Sequence, residues 1–476
     1  MRNRTGRRAR RKRRRLKSGQ DPTRAVSLCH KSQYVELRRW LKERGFSSRS
    51  LVPALFSDTG RGLMTMKPVQ AGDVLISLPE TCLLTTTTVL SSSIGEYIRR
   101  WKPPLSPLLA ICVFLISERH LGSQSRWKPY IDVLPKSYTC PAYFSDSVVS
   151  LLPGVLRKKA LNQRDAVLEM HCSSRGFTHT LQPLFAQPVE DIFTCDAIRW
   201  AWCTVNSRTV YVQRCQSPFL SGDPDVYAMA PYLDLLNHSP VVQVEAGFNQ
   251  ATSCYEIRST LGCKRFTQAF ICYGAHDSQR LLLEYGFVAP NNPHRVVYVD
   301  PDLLQKFITG TDKQFSHKLL YLKDHHFLEN LTFGVEGPSW KLMTTLRLLS
   351  LGPEQYASWK TVLLGAAVSQ DCEERSVHLA RILCQHLMEE NADALERLSL
   401  MKVDADLSLT EQLSVVESLR REEQKILGYS FEVLRDIHIQ PILPQLMEKV
   451  ILLKIPHSKC EVGTPKMAAI VLRIGI

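Results

Sequence analysis

The hydrophobic period of this 476-residue chain changes three times along its length, and that order limits the architectures open to it. A helix is predicted over Ser32 to Arg44: Ser32 can cap it, Tyr34, Leu37 and Leu41 share one face, and Gly45 can end it. Two short apolar stretches then read as strands, Gly62 to Met66 and Asp73 to Leu78, with a turn at Gln70-Ala71-Gly72. From about Val89 to Ala201 the spacing is mostly helical, with a Pro-rich break at Trp101 to Pro107 and a strong helix from Leu108 to Leu121. Strand-like pieces return after Tyr227, including Cys254 to Ser259 and Gln268 to Tyr273. From about Pro301 helical spacing dominates, with one stripe of Leu342, Leu346 and Leu349 and another of Leu409, Leu413, Val416 and Leu419. This order predicts an α+β fold, in which a β-rich domain with a long helical insert is followed by an all-helical C-terminal domain.

A chain this long exceeds what one core usually organises, so two folded domains plus tails are expected. The expected boundaries are a basic disordered arm over 1–28, a β-rich domain over 29–299 with its insert at about 89–201, a helical domain over 300–440, and a tail over 441–476. The tail combines four prolines with an apolar end, Met467 to Ile476, and its pattern defines no element.

Charge is distributed unevenly. The net charge is +14, and eleven of the first seventeen residues are Arg or Lys with none acidic, which leaves +3 for the rest. A nearly neutral body argues against a broad nucleic-acid-binding face. The segment Arg7 to Lys17 has two readings: a contact patch for a nuclear-import receptor or nucleic acid, or a solvated arm with no specific partner. No apolar run follows it as in a signal peptide, and none reaches the roughly 18 residues of a membrane span, so no membrane partner is expected. The fourteen cysteines form no Cys-x-x-Cys or Cys-x-Cys. They read as reduced thiols of a cytosolic or nuclear protein, with no zinc site.

Three segments carry candidate chemistry: Gly60-Arg61-Gly62-Leu63, Pro231-Tyr232-Leu233-Asp234-Leu235-Leu236-Asn237-His238-Ser239, and Cys272-Tyr273-Gly274 followed by Leu281-Leu282-Leu283-Glu284-Tyr285-Gly286-Phe287-Val288. Taken singly, each has a plain structural reading: a tight turn at the glycines, turn caps at Asn237 and His238, a core tyrosine at Tyr285. No Gly-x-Ser-x-Gly, His-Glu-x-x-His or phosphate-loop pattern occurs, and the pair His325-His326 reads as a solvated turn.

Together and in this order, the three segments resemble the SET-domain protein methyltransferases. The fuller patterns, Pro-x-x-Asp-x-x-Asn-His and Tyr-Gly-Phe-Val, are similar to the branch named for Rubisco large-subunit methyltransferase, over roughly Lys31 to Gln440. That resemblance implies a SET domain with a helical insert and a helical substrate-binding domain after it. It implies S-adenosyl-L-methionine as cofactor and, as partner, a protein presenting a lysine, histone or non-histone. Gly60, Arg61, Gly62 and Leu63 would wrap the methionine part of the cofactor, and Arg208 its carboxylate. Asn237 and His238 would hold its amino and adenine ends. Tyr273 would line the junction of cofactor and lysine channel, Tyr298 would close that channel, and Tyr285 would be the catalytic tyrosine. Methyl transfer is an in-line attack by a neutral amine, so positioning and desolvation suffice, and neither a carboxylate pair nor a metal is required.

Two positions depart from the family pattern. Ser278 stands where the family often has Asn. Val210 stands at the channel wall where lysine-specific plant enzymes have an aromatic residue and a histidine-methylating relative has a polar one, so an apolar Val210 favours lysine. The competing expectations are a non-catalytic SET-fold module for peptide binding or chromatin tethering, and a protein-histidine methyltransferase.

Overall fold

The computed structural model describes residues 25–307, 312–403 and 405–437. The expectations for the first 24 residues of the arm and for the tail over 441–476 lie outside the described residues. The described residues form two compact units, one of residues 25–136 with Val167–Ala275, the other of Ser137–Ala166 with the described residues from His276 to Ile437.

The first unit holds β1 (Val26–Ser27), β2 (Leu51–Phe56), β3 (Gly60–Thr65), β4 (Val74–Pro79), β5 (Thr209–Tyr211), β6 (Tyr227–Met229), β7 (Asn237–His238), β8 (Val244–Asn249), β9 (Cys254–Ser259) and β10 (Gln268–Ile271). They form a five-stranded sheet in the order β1-β2-β3-β10-β7, a three-stranded sheet β4-β9-β8 and the pair β5-β6. β2 and β3 make a hairpin with Phe56 opposite Gly60. Its three-residue turn, Ser57 to Thr59, is followed by Gly60 at φ +70°, a conformation that a β-branched residue resists. The strands expected from the sequence are present, with β3 starting two residues earlier and β4 one later. The turn between them has Gly72 at φ +86° and Asp73 Oδ2 accepting from Gln70 N at 2.8 Å.

The helix Ser32–Glu43 buries Tyr34, Leu37, Trp40 and Leu41, the expected face. Ser32 is not its cap: Lys31 takes that position without a side-chain bond, and Ser32 is the first helical residue. The helix Pro107–Leu121 is capped by Ser106, whose Oγ accepts from Leu109 N at 3.2 Å. Leu109 through Ser117 are all buried, which explains an apolar run without a polar stripe.

The second unit is mostly helical. It also holds β11 (Val297–Tyr298), β12 (Thr332–Gly334) and β13 (Gly337–Pro338), one small antiparallel sheet. Helical periodicity gave no sign of this sheet: two or three residues per strand are too few to show a period of two. Leu342, Leu346 and Leu349 sit in one core with Val297, Phe333 and Leu383. Leu413, Val416 and Leu419 sit in another with Val148, Leu152, Leu282 and Leu283, and Leu409 packs at its edge. The stripe on the helix Leu407–Asp436 thus supports the helix Ser278–Tyr285.

Charges are buried here as well. Arg420 donates from Nε to Leu151 O at 2.9 Å, and its Nη1 lies 3.5 Å from Glu423 Oε2. Gln279 Nε2 donates to Glu423 Oε1 at 2.8 Å. Burial pushes the Glu423 carboxyl up to about 7, with Arg420 opposing. Folding therefore favours the protonated acid, and stability should fall as pH rises from 4.5 to about 7. Urea unfolding across that window should show a downward slope in the wild type and a flatter one in Glu423→Gln. Parallel slopes would mean that another group titrates.

Candidate active site

In the first unit, the helix Cys195–Arg208 delivers Arg208 to Asp234. Nη1 of Arg208 lies 3.2 Å from Asp234 Oδ2 and donates to Asp234 O at 3.1 Å. Tyr130 OH donates to the same Oδ2 at 2.9 Å. Burial raises the Asp234 carboxyl above its ordinary range, and Arg208 and Tyr130 oppose that rise. This acid fixes both the guanidinium and the short turn Leu233–Leu235 that leads into β7. Arg208 was expected; Asp234 and Tyr130 were not singled out. The signal for Asp234 was present, as the acidic position of Pro-x-x-Asp-x-x-Asn-His.

Asn237 and His238 are strand residues, not turn caps. β7 runs parallel to β10, with Asn237 beside Phe270 and His238 beside Ile271. Asn237 Nδ2 donates to Arg61 O at 2.9 Å, so the amide ties β7 to the glycine segment. His238 Nδ1 accepts from Tyr273 N at 3.1 Å, which places the proton of the neutral imidazole on Nε2. Tyr273 stacks obliquely on His238 with ring centroids 5.2 Å apart and donates from its hydroxyl to Leu236 O at 2.7 Å. Burial raises the Tyr273 phenol well above its ordinary value.

Gly60, Arg61, Gly62 and Leu63 occupy β3. Leu63 is fully buried opposite Ala269 and Pro53. The Arg61 guanidinium turns to Val133 O at 2.5 Å. Gly62 is closely approached by side chains: a Cβ there would lie 2.6 Å from Gln268 Nε2 and 3.0 Å from Asn237 Nδ2, and both amides would have to shift. Gln268 Nε2 is buried with no acceptor among the described residues, while its Oε1 accepts from Thr59 at 2.7 Å. No sequence motif pointed to Gln268. Val210 is buried in β5 opposite Ala228.

Tyr285 and Tyr298 belong to the second unit. Tyr285 is the last residue of the helix Ser278–Tyr285, which Asp277 caps through Arg280 N at 3.0 Å. Gly286 ends it at φ +77°, and Gly286 N returns to Leu282 O at 3.0 Å. Thr139 Oγ1 donates to Gly286 O at 2.6 Å. The Tyr285 ring stacks on that of His276 and meets that of Phe287 at a tilt, with centroids 6.1 and 6.2 Å away. Tyr298 donates to Asp277 Oδ2 at 3.1 Å beneath the Lys159 ammonium, 5.3 Å from its ring centroid. Burial, and after it Asp277, raises the Tyr298 phenol well above its ordinary value. Ser278 is fully enclosed, and Asn292 reaches it from a later loop: Nδ2 donates to His276 O at 2.9 Å and to Ser278 Oγ at 3.4 Å. His326 is exposed and pairs with Glu329 at 3.0 Å.

The Rubisco LSMT substrate-binding family matches residues 309–427. SET domain-containing protein 4 of Mus musculus is 54% identical over 424 residues, 89% of this chain and 96% of that protein. The chain belongs to the SET domain-containing protein 4 family. A further relative is the chloroplastic ribulose-1,5 bisphosphate carboxylase/oxygenase large subunit N-methyltransferase of Pisum sativum, 26% identical over 82% of this chain and 79% of the pea protein. Among solved structures, the SET domain of LSMT bound to lysine and AdoHcy superposes with a TM-score of 0.61 at 22% identity, covering 88% of this chain and 96% of that one. The fold is therefore that of the Rubisco LSMT branch of SET proteins. Among the described residues of this SET domain-containing protein 4 relative, no helix is long and apolar enough to cross a membrane, and no group of three or more His, Cys, Asp or Glu could hold a metal ion.

Gly286→Ala should destabilise the fold. Its Cβ would meet Thr139 C at 2.7 Å and Cys140 N at 2.8 Å, both backbone atoms, at a positive φ. A loss of about 1–3 kcal/mol is expected, read as a lower Tm. An unchanged Tm would show that the turn can shift to admit a side chain.

Proposed function

We propose that this protein is an S-adenosyl-L-methionine-dependent protein-lysine N-methyltransferase. The observation that carries the reading is the arrangement at β7: Asn237 is bound to the Arg61 carbonyl, and His238 is bound to the Tyr273 amide. These contacts join all the first-unit motif segments to one sheet, in a chain that also retains Tyr285 at its helix terminus. Support also comes from the pea relative, which is named as an N-methyltransferase, and from the LSMT structure, which holds lysine and AdoHcy.

The residues present fit the cofactor. Gly62 lets the side chains of Gln268 and Asn237 close in on β3, and Gln268 Nε2 is a buried donor there with no acceptor among the described residues. Gly60 to Leu63, Arg208, Asn237, His238 and Tyr273 would hold the cofactor. When bound, it supplies a sulfonium-linked methyl group. The chain contributes placement: Arg208, neutralised by Asp234, presents a guanidinium fork suited to a carboxylate. Tyr285 is proposed as the catalytic tyrosine, with Val210 and Tyr298 toward the lysine stem. A buried, apolar Val210 gives no hydrogen bond to an imidazole, which favours lysine over histidine as acceptor. The acceptor protein is proposed to be histone or non-histone, and the basic arm a contact for a nuclear-import receptor in a protein of nucleus and cytosol.

Tyr285→Phe keeps the ring and loses the hydroxyl. Turnover on a lysine substrate should fall by roughly 10²–10³, the cost of one preorganised polar group at a reacting centre, while cofactor titration and Tm stay near wild type. Asn237→Ala should do the reverse and weaken cofactor binding. Wild-type turnover in Tyr285→Phe with a lowered Tm would make the tyrosine merely structural, and wild-type cofactor affinity in Asn237→Ala would overturn the site.

Deleting residues 1–17 removes eleven positive charges. Nuclear accumulation of a fluorescent fusion should drop while turnover on a short peptide holds. An unchanged distribution would favour the solvated-arm reading.

A further inference from the structure

The loop between β5 and β6, residues 212–226, carries chemistry that the proposed reaction does not use. Tyr211 pairs with Tyr227 across the two strands, and the ladder continues as Val212 N to Val226 O and Arg214 N to Asp225 O, each 3.1 Å. Ser221 N donates to Leu105 O at 2.8 Å and ties the far end of the loop down. There the loop borders a solvent-open pocket with a cavity volume of about 820 Å³, lined by Tyr211, Gln213, Arg214, Asp223, Asp225 and Tyr227 among others. Val210 and Tyr211 are consecutive and face opposite sides of the strand, so the pocket is on the side away from Val210.

The charges of this pocket are unequally satisfied. Asp225 is only 6% exposed. Its Oδ2 accepts from Thr86 Oγ1, but its Oδ1 is buried with no donor among the described residues. Burial raises this carboxyl, opposed by Thr86 and by the charge of Arg214. Arg214 is directed elsewhere: its Nη1 lies 3.5 Å from Glu80 Oε1, and Nη2 donates to Thr87 Oγ1 at 2.9 Å. Asp223 stands exposed and close enough to act on the Tyr227 phenol. The pocket is thus lined by an exposed carboxylate, Asp223, which accepts from Ser221 Oγ at 2.8 Å, by a second carboxylate, Asp225, whose Oδ1, without a donor among the described residues, is buried in its wall, and by two phenol rings, with its one lining cation already paired to Glu80. An anion would meet like charge, and an apolar group would leave Asp225 as it is. A planar cation with several N–H donors would serve the carboxylates and stack on tyrosine.

We infer that this pocket binds the guanidinium of an arginine side chain in a polypeptide. The cavity is several-fold larger than a guanidinium requires, which leaves room for the backbone that carries it. If the methyltransferase reading holds, that polypeptide is the protein substrate, and the pocket selects an arginine separate from the methylated lysine. The pocket chemistry stands without that reading.

The test titrates the full-length protein with N-acetyl-arginine methylamide, its neutral isostere N-acetyl-citrulline methylamide, and guanidinium chloride. Saturable binding of the arginine compound alone is expected. Asp225→Asn and Tyr211→Ala should each weaken it roughly tenfold, the loss of one charge-assisted or stacking contact. Two variants are used so that a folding defect in one, visible in its Tm, does not decide the matter. No binding, equal binding of the citrulline compound, or wild-type affinity in both variants would overturn the proposal. Guanidinium chloride binding as tightly as the capped arginine would show a small-cation site and overturn the polypeptide assignment. Cofactor affinity measured on the same samples should not move; its loss in the wild type would sink the methyltransferase reading and leave the pocket untouched.

Discussion

Asp234 is a carboxylate withdrawn from water, and the first unit is organised around compensating it. An uncompensated buried charge costs several kcal/mol, so a chain that places an acid there must bring donors to it. Arg208 arrives on the last turn of a helix, and Tyr130 comes from the helical insert. The carboxylate then anchors the turn before β7, and β7 in turn is read by Arg61 through Asn237 and by Tyr273 through His238. A single buried acid therefore couples insert, helix end and central sheet. The cost of burying it yields a fixed arrangement of guanidinium, amide and imidazole, which a ligand can meet without paying to order them.

The glycines act by a different constraint, close approach. Gly62 leaves space that Gln268 and Asn237 border, and Gly286 passes against the backbone at Thr139 and Cys140. A methyl group at Gly62 would displace the ends of side chains, whereas at Gly286 it would meet backbone atoms. At Gly286 the positive φ has a second effect: it stops the helix directly after Tyr285 and sets the tyrosine at a helix terminus, in ring contact with His276 and Phe287.

In the second unit the same helix rests on Leu282 and Leu283, which pack with the Leu413, Val416 and Leu419 stripe. Beneath it Gln279 contacts Glu423, and Arg420 contacts Leu151. Residues more than one hundred positions apart thereby hold the tyrosine helix. A substrate-binding family match over 309–427 covers these helices, so the region named for substrate binding also supplies the packing for the Tyr-Gly-Phe segment.

The sequence by itself determined what depends on local spacing. Amphipathic stripes marked the helices, turn residues separated β3 from β4, and three ordered motifs carried the resemblance to the SET family, which in turn implied Arg208, Asn237, His238, Tyr273 and Tyr285 as site residues. These are short-range signals, carried by residue type and period. Tertiary structure alone decided what depends on partners far apart in the chain. It turned Asn237 and His238 from turn residues into a parallel strand, because β10 lies beside them. It moved the cap of the first helix from Ser32 to Lys31. It supplied Asn292 to Ser278, Gln268 to Gly62 and Tyr130 to Asp234, and it folded a small sheet into a region that reads as helix. A hydrogen-bond partner has no sequence period. Which donor meets which acceptor is set only when packing brings them within about 3 Å, and for that reason the candidate site residues could be named from the sequence while the residues that contact them could not.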